Sequence, residues 1–120
     1  MRVFKNTWFT RFADKEGITD GELREVVDQL EAGQADAGLG GGVYKIRLAR
    51  PGEGKSGGYR IIVFFRSRKR TFYVYGFPKS ALGNINEKQL RDFKKTAKAV
   101  LAMTDKQLDD VLKTGKYGEI

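Results

Sequence analysis

The chain has 120 residues, 23 basic and 15 acidic, with a net charge of +8, and it contains neither histidine nor cysteine. Disulfides and thiolate metal sites are therefore excluded, as are an imidazole general base and the commonest zinc ligand. The length suits one domain, able to bury roughly two thirds of its unfolded surface around a single modest core.

Val3-Phe4 opens a short strand. Asn6 or Thr7 then caps a first helix carrying Trp8, Phe9 and Phe12, which read as core, and Gly17 ends it. "TDGE" at 19–22 fits a capping box and starts a second helix. Its Leu23, Val26, Val27 and Leu30 fall at i, i+3, i+4 and i+7, and Gly33 stops it. "GQADAGLGGG" (33–42) reads as a flexible connection without regular structure. The period then changes. "VYKIRLAR" (43–50) alternates Tyr44, Ile46 and Leu48 with Lys45 and Arg47, as a strand with an apolar and a cationic face does. "GYRIIVFF" (58–65) is apolar almost throughout, as a central strand covered on both faces would be. "RSRKR" (66–70) is a solvated hairpin turn into a third strand, "TFYVYGF" (71–77). The last third is helical. Asn86 with Gln89 and Thr104 with Gln107 are two more capping signals, each before an apolar helical stripe, and Gly115 closes the last helix.

No apolar run approaches the ~20 residues of a membrane span, and "MRVFKNTWFTRF" has no secretory pattern. We expect a cytoplasmic protein without a membrane partner.

The charge is concentrated. Residues 43–79 hold ten of the basic residues and one acid, Glu53, while the remainder is close to neutral. Such a stripe attracts polyanions through phosphate neutralisation and counterion release. Within it, "ARPGEGKSGG" spells a loose phosphate-loop pattern. A true phosphate loop joins a strand to a helix, whose N-terminus receives the phosphates. Here strand follows strand, so the stretch reads as a Gly-rich hairpin loop. Arg50 and Lys55 stand at its rim, as a clamp on a nucleic-acid backbone.

"YKIRLARPGEGKSGGYRIIVFF" followed by "FYVYGFPKSALGNI" resembles the RelE/HigB-type toxins of bacterial type II toxin–antitoxin systems. The Gly-Lys-Ser-Gly-Gly loop and the tail from Asn84 onward resemble their HigB-like branch. The resemblance implies a single RelE-like α+β domain over residues 1–120. Its antiparallel sheet would carry the two N-terminal helices on one face, with residues 85–120 as a helical extension. It implies a ribosome-dependent endoribonuclease that cuts mRNA, and a cognate antitoxin of helix-turn-helix type. No cofactor or metal is implied. Lys45 and Arg47 match the paired cations of the family's first core strand, one for proton transfer and one for phosphate contact. Arg60 matches the Gly-Tyr-Arg arginine at the scissile phosphate. Lys79 falls near a family arginine of similar task, with lysine in its place. Relatives with a tyrosine just beyond that point have no counterpart in "SALGNI".

The residue types suit metal-free RNA cleavage. A 2′-hydroxyl attacks its own phosphate, and the enzyme orients the attack, stabilises the phosphorane-like charge and moves two protons. Arg binds phosphate as a fork and Lys as a point charge. An ammonium among other cations is disfavoured, a condition that suits a lysine to proton exchange; Lys45 beside Arg47 is the candidate. Arg66 and Arg68 join Arg50 and Lys55 as RNA contacts. Tyr73 and Tyr75 either stack bases or pack against the tail helix. Arg60 has a structural alternative, pairing with an acid on the second helix. Two other functions share these features: a ParE-like gyrase poison on the same scaffold, and a non-catalytic RNA-binding domain.

Overall fold

Each helix begins where the sequence supplies a cap. In the computed structural model, which describes residues 1–50, 54–78 and 85–120, strand β1 (Arg2–Asn6) runs into helix α1 (Thr7–Glu16), and the Asn6 side chain accepts the Phe9 N–H. The side chains of Arg50 and of residues 54–57 lie outside that description. Gly17 ends α1 in the left-handed region at φ 72°, where a Cβ is costly. Helix α2 (Asp20–Glu31) starts at a complete capping box between Thr19 and Glu22. Helices α3 (Glu87–Ala102) and α4 (Asp105–Leu112) start at the boxes Asn86–Gln89 and Thr104–Gln107. Reciprocal capping of this kind satisfies orphan N–H groups and contributes about 1 kcal/mol per cap.

Strands β2 (Ala37–Gly40), β3 (Val43–Arg50), β4 (Gly54–Arg66), β5 (Arg70–Pro78) and β6 (Tyr117–Glu119) join β1 in one sheet, in the order β2-β3-β4-β5-β1-β6. All neighbours are antiparallel except β1 and β5, which run parallel with Arg2 opposite Arg70. Gly54 to Gly58, expected as part of a hairpin loop, already belong to β4 and pair toward β3, so Lys55 lies in a strand and no helix N-terminus follows it.

The sheet is covered on both sides. One face buries Ile46, Ile61, Val63 and Tyr73 against Phe9 and Ala13 of α1 and Leu23, Val26, Val27 and Leu30 of α2. The other buries Phe4, Val43, Ile62, Phe64, Phe72 and Val74 against Ala97 and Val100 of α3 and Leu108 of α4. The tail is thus the second layer of the domain core, which explains why β4 lacks a polar face. Each fully enclosed Phe or Ile is worth about 1.5–3 kcal/mol relative to exposure.

Four other expectations need correction. The 33–42 segment holds a regular element: β2 pairs with β3, and the turn uses Gly41 and Gly42 at φ 63° and 83°. A two-residue hairpin turn demands such angles, and Leu39 anchors the strand on the tail-side core. The tail ends in a strand, β6, paired with β1. Trp8 is 43% exposed although Phe9 is fully enclosed. Arg70 is only 7% exposed and is no solvated turn cation. Its Nη1 donates to the Val100 and Met103 carbonyls at 3.1 and 2.6 Å. Arg66 donates to the Leu101 carbonyl at 3.1 Å. Two cations of the basic stripe therefore hold the unsatisfied carbonyls at the end of α3.

Candidate active site

The β3–β4 register decides which side chains meet. Arg47 lies opposite Arg60, and Lys45 opposite Ile62. Directly opposed residues of an antiparallel pair point to the same face, so Lys45, Arg47, Arg60 and Ile62 share one side. Ile62 belongs to the tail-side core. The three cations therefore occupy the α3 face of the sheet. Gly58 sets this register. A Cβ there would lie 2.2 Å from the Leu48 carbonyl oxygen, so no other residue fits the close approach of β3 at the bulge beyond Leu48. In "GGYR" the glycine is thus what seats the arginine.

Asp36 holds the pair. The Arg47 Nε stands 3.1 Å and the Arg60 Nη1 3.2 Å from the same Asp36 Oδ2. The Arg60 side chain is 19% exposed and that of Arg47 45%, so one guanidinium is largely enclosed and the other faces solvent. Both converge on a single anionic oxygen, at the hydrogen-bond distances a phosphate oxygen would use. The sequence offers no direct signal for Asp36. It lies in the Gly-rich segment, beyond the second helix on which an acid for Arg60 was expected, and its backbone N–H donates to the Lys45 carbonyl of β3 at 3.0 Å.

Other expected site residues lie elsewhere. Arg66 and Arg68 stand at the far end of the β4–β5 hairpin, about 20 Å along the strand from Arg60. Arg68 has φ 61° and its N–H donates to Glu31, as does the Ser67 hydroxyl. Those two bonds hold the Glu31 carboxyl below its usual range. Tyr73 is fully enclosed, its ring 5.2 Å from Phe9 and its hydroxyl donating to the Leu23 carbonyl. Burial raises that hydroxyl well above the usual phenol value. With no face open to a base, Tyr73 stacks on none, and it packs on the α1–α2 side of the sheet rather than against the tail helix. Tyr75 packs between Trp8 at 4.5 Å and Phe93 of α3 at 5.9 Å. The side chains of Arg50 and Lys55, and all of Lys79, lie outside the described residues. No cluster of acids able to hold a metal ion occurs among the described residues.

A family model for the RelE toxin of the RelE/RelB toxin–antitoxin system matches residues 1–120. The chain belongs to the RelE toxin family. It is thus the toxin of a toxin–antitoxin pair, and membership implies an antitoxin partner. In this RelE-family toxin the sheet face bearing Lys45, Arg47 and Arg60 is the candidate active site. No helix among the described residues is long and apolar enough to cross a membrane.

Proposed function

We propose that this toxin is an endoribonuclease that cuts mRNA on the ribosome without a metal ion. The observation that carries the reading is the convergence of Arg47 and Arg60 on one carboxylate oxygen, on a face that Lys45 shares. A scissile phosphate would bind beside that oxygen, on the guanidinium N–H groups that Asp36 aims but does not occupy. The 2′-hydroxyl attacks phosphorus, forming the 2′-O–P bond as the P–O5′ bond breaks. The products are a 2′,3′-cyclic phosphate and a free 5′-hydroxyl. Arg60, enclosed and therefore fixed, neutralises the equatorial oxygens, and Arg47 assists from the solvent side. Lys45 is the proton-transfer candidate, and Lys79 remains proposed as a further phosphate cation. Arg50, at the end of β3, and Lys55, at the start of β4, would grip the RNA backbone. The ribosome supplies the substrate positioning that so small a site lacks.

The Gly-Lys-Ser-Gly-Gly loop and the long tail favour the HigB-like branch, and with it an antitoxin of helix-turn-helix type. The test is induction of the toxin in a bacterium, with mRNA 5′ ends mapped on translating ribosomes. Cuts within translated codons that vanish in Arg60→Ala support the reading. Arrest with intact messages and altered DNA supercoiling would assign it to the gyrase poisons instead.

A further inference from the structure

The +8 charge has a second focus that the linear sequence hides. Helix α3 carries Lys88, Arg91, Lys94, Lys95 and Lys98 against two acids, Glu87 and Asp92. Lys88, Arg91, Lys95 and Lys98 are spaced by three, four and three residues, which aligns them on one ridge. All four are exposed, and the buried Ala97 and Val100 lie on the other side of the helix. The ridge spans about 15 Å with neighbours about 5–6 Å apart. None of the five cations has an ion-pair partner among the described residues, whereas acids elsewhere are engaged. Asp105, Asp109 and Glu119 surround Arg2, Asp20 meets Lys5, and Asp36 holds Arg47 and Arg60.

The position of α3 matters as much as its charge. Phe93, in its first half, packs on Tyr75 and Phe64, near the row in which Phe77 opposes Arg60. Its last turn lies at Gly42 and accepts the Arg66 guanidinium. Lys94 leans over the β2–β3 turn, where a Cβ on Gly40 would meet its Nζ at 3.3 Å. The helix thus spans the gap between the Arg47–Arg60 pair and Arg66, on the same sheet face as Lys45. Beside its C-terminal half runs a groove of about 550 Å³ with Phe65 and Leu101 in its lining and Arg66, Lys94 and Lys98 at its side.

We propose that α3 is a second RNA-binding surface, a cationic track for a phosphodiester backbone that joins the cleavage site to the hairpin end at Arg66. The proposal rests on the RNA-cleavage reading for its ligand, though not for its geometry. The ridge favours RNA over an acidic protein because its four cations recur at one-turn intervals and α3 exposes no large hydrophobic residue to anchor a protein partner. The exposed large hydrophobic residues of the described chain are Met1 and Trp8, neither on α3, whereas the buried core of a protein interface is richer in apolar and aromatic side chains.

The experiment compares the full-length toxin with a variant carrying Lys88→Gln, Arg91→Gln, Lys95→Gln and Lys98→Gln. Binding is measured by anisotropy across a salt series with two non-cleavable 2′-O-methyl probes, an unstructured strand and a hairpin. A matched thermal melt verifies that the variant is folded. The expected result is a lower salt slope, by about 0.7 per lost contact on the strand or 0.9 on a regular duplex of DNA type, and at least tenfold weaker binding. A loss confined to the strand identifies the message as the ligand; one confined to the hairpin identifies structured RNA. Unchanged affinity and slope on both probes overturn the proposal. So does an equal loss of binding to poly-glutamate of matched length, which would reduce the ridge to a generic cation surface. Arg60→Ala separates the two readings, since it should stop cleavage while the α3-dependent part of the slope stays.

Discussion

Arg47 and Arg60 owe their common aim to Asp36, and this makes a carboxylate outside the cationic stripe a positioning residue. Its two ion pairs are partly open to water, so each is worth about 0–1 kcal/mol in stability. The consequence for orientation is larger. In Asp36→Asn the guanidiniums lose their shared acceptor charge and spread. We expect cleavage on ribosomes to fall by up to ~10²-fold, the scale of a small misplacement, while affinity for non-cleavable RNA holds or rises because a competing anion is gone. A loss of affinity matching the loss of rate would refute this role. Arg60→Ala should cost about 10²–10³-fold in cleavage rate, as removal of one preorganised donor does, with little change in the melting temperature. Asp36 was not legible in the sequence for a physical reason. Its partners lie on β3 and β4, and only the sheet register brings them to it.

At the scale of elements, helix starts were legible because the capping signal is local. Thr19, Asn86 and Thr104 each carry their partner three residues on, and each box forms. Strands β2 and β6 were not, because four or three residues carry no periodicity and exist only by pairing with β3 and β1. Arg70 was misread for the same reason: its meaning comes from α3, which docks on it from thirty residues away. The Arg70 contact is also the clearest target for testing the two-layer core. Replacing it with leucine leaves the Val100 and Met103 carbonyls without their donors, at roughly 1–3 kcal/mol for the buried Val100 carbonyl and less for the part-buried Met103 carbonyl. Urea unfolding should register that loss, and hydrogen exchange should rise first in the last turn of α3. Gly58→Ala tests the other element contact. The clash is with backbone, so β3 must shift, costing about 1–3 kcal/mol or more and displacing Arg60 from Arg47. Retained stability with full cleavage would contradict the register that we describe.

Across the whole molecule, the first strand and the tail are fastened by charge. Arg2 reaches Asp109 and Glu119 at 2.9 Å each and Asp105 at 3.4 Å, and its guanidinium sits 5.2 Å from the Phe4 ring centre. The Glu119 carboxyl is held below its ordinary value of 4.5, mainly by the Arg2 hydrogen bond. Because the folded value is depressed, its stabilisation is fully present above about pH 4.5 and drains away as the pH falls through the lowered value. Melting temperature should therefore drop on acidification below pH 4.5, and the drop should be shallower in Arg2→Gln. An identical acid limb in both proteins would remove this cluster as its cause. The fold class followed from the sequence because helix and strand periods change cleanly at residue 43; the coverage of both sheet faces did not, because an apolar stripe on α3 does not say which face receives it.

Strand β1 takes its neighbours from β5 and from β6. Both lie far beyond it along the chain, so β1 can be paired on neither side until they have been made. Until residues 70–78 leave the ribosome, a nascent segment with Phe4 has both backbone edges open. Closing the sheet around β1 is therefore a long-range event, and its loop-closure entropy falls on the steps that seat this strand.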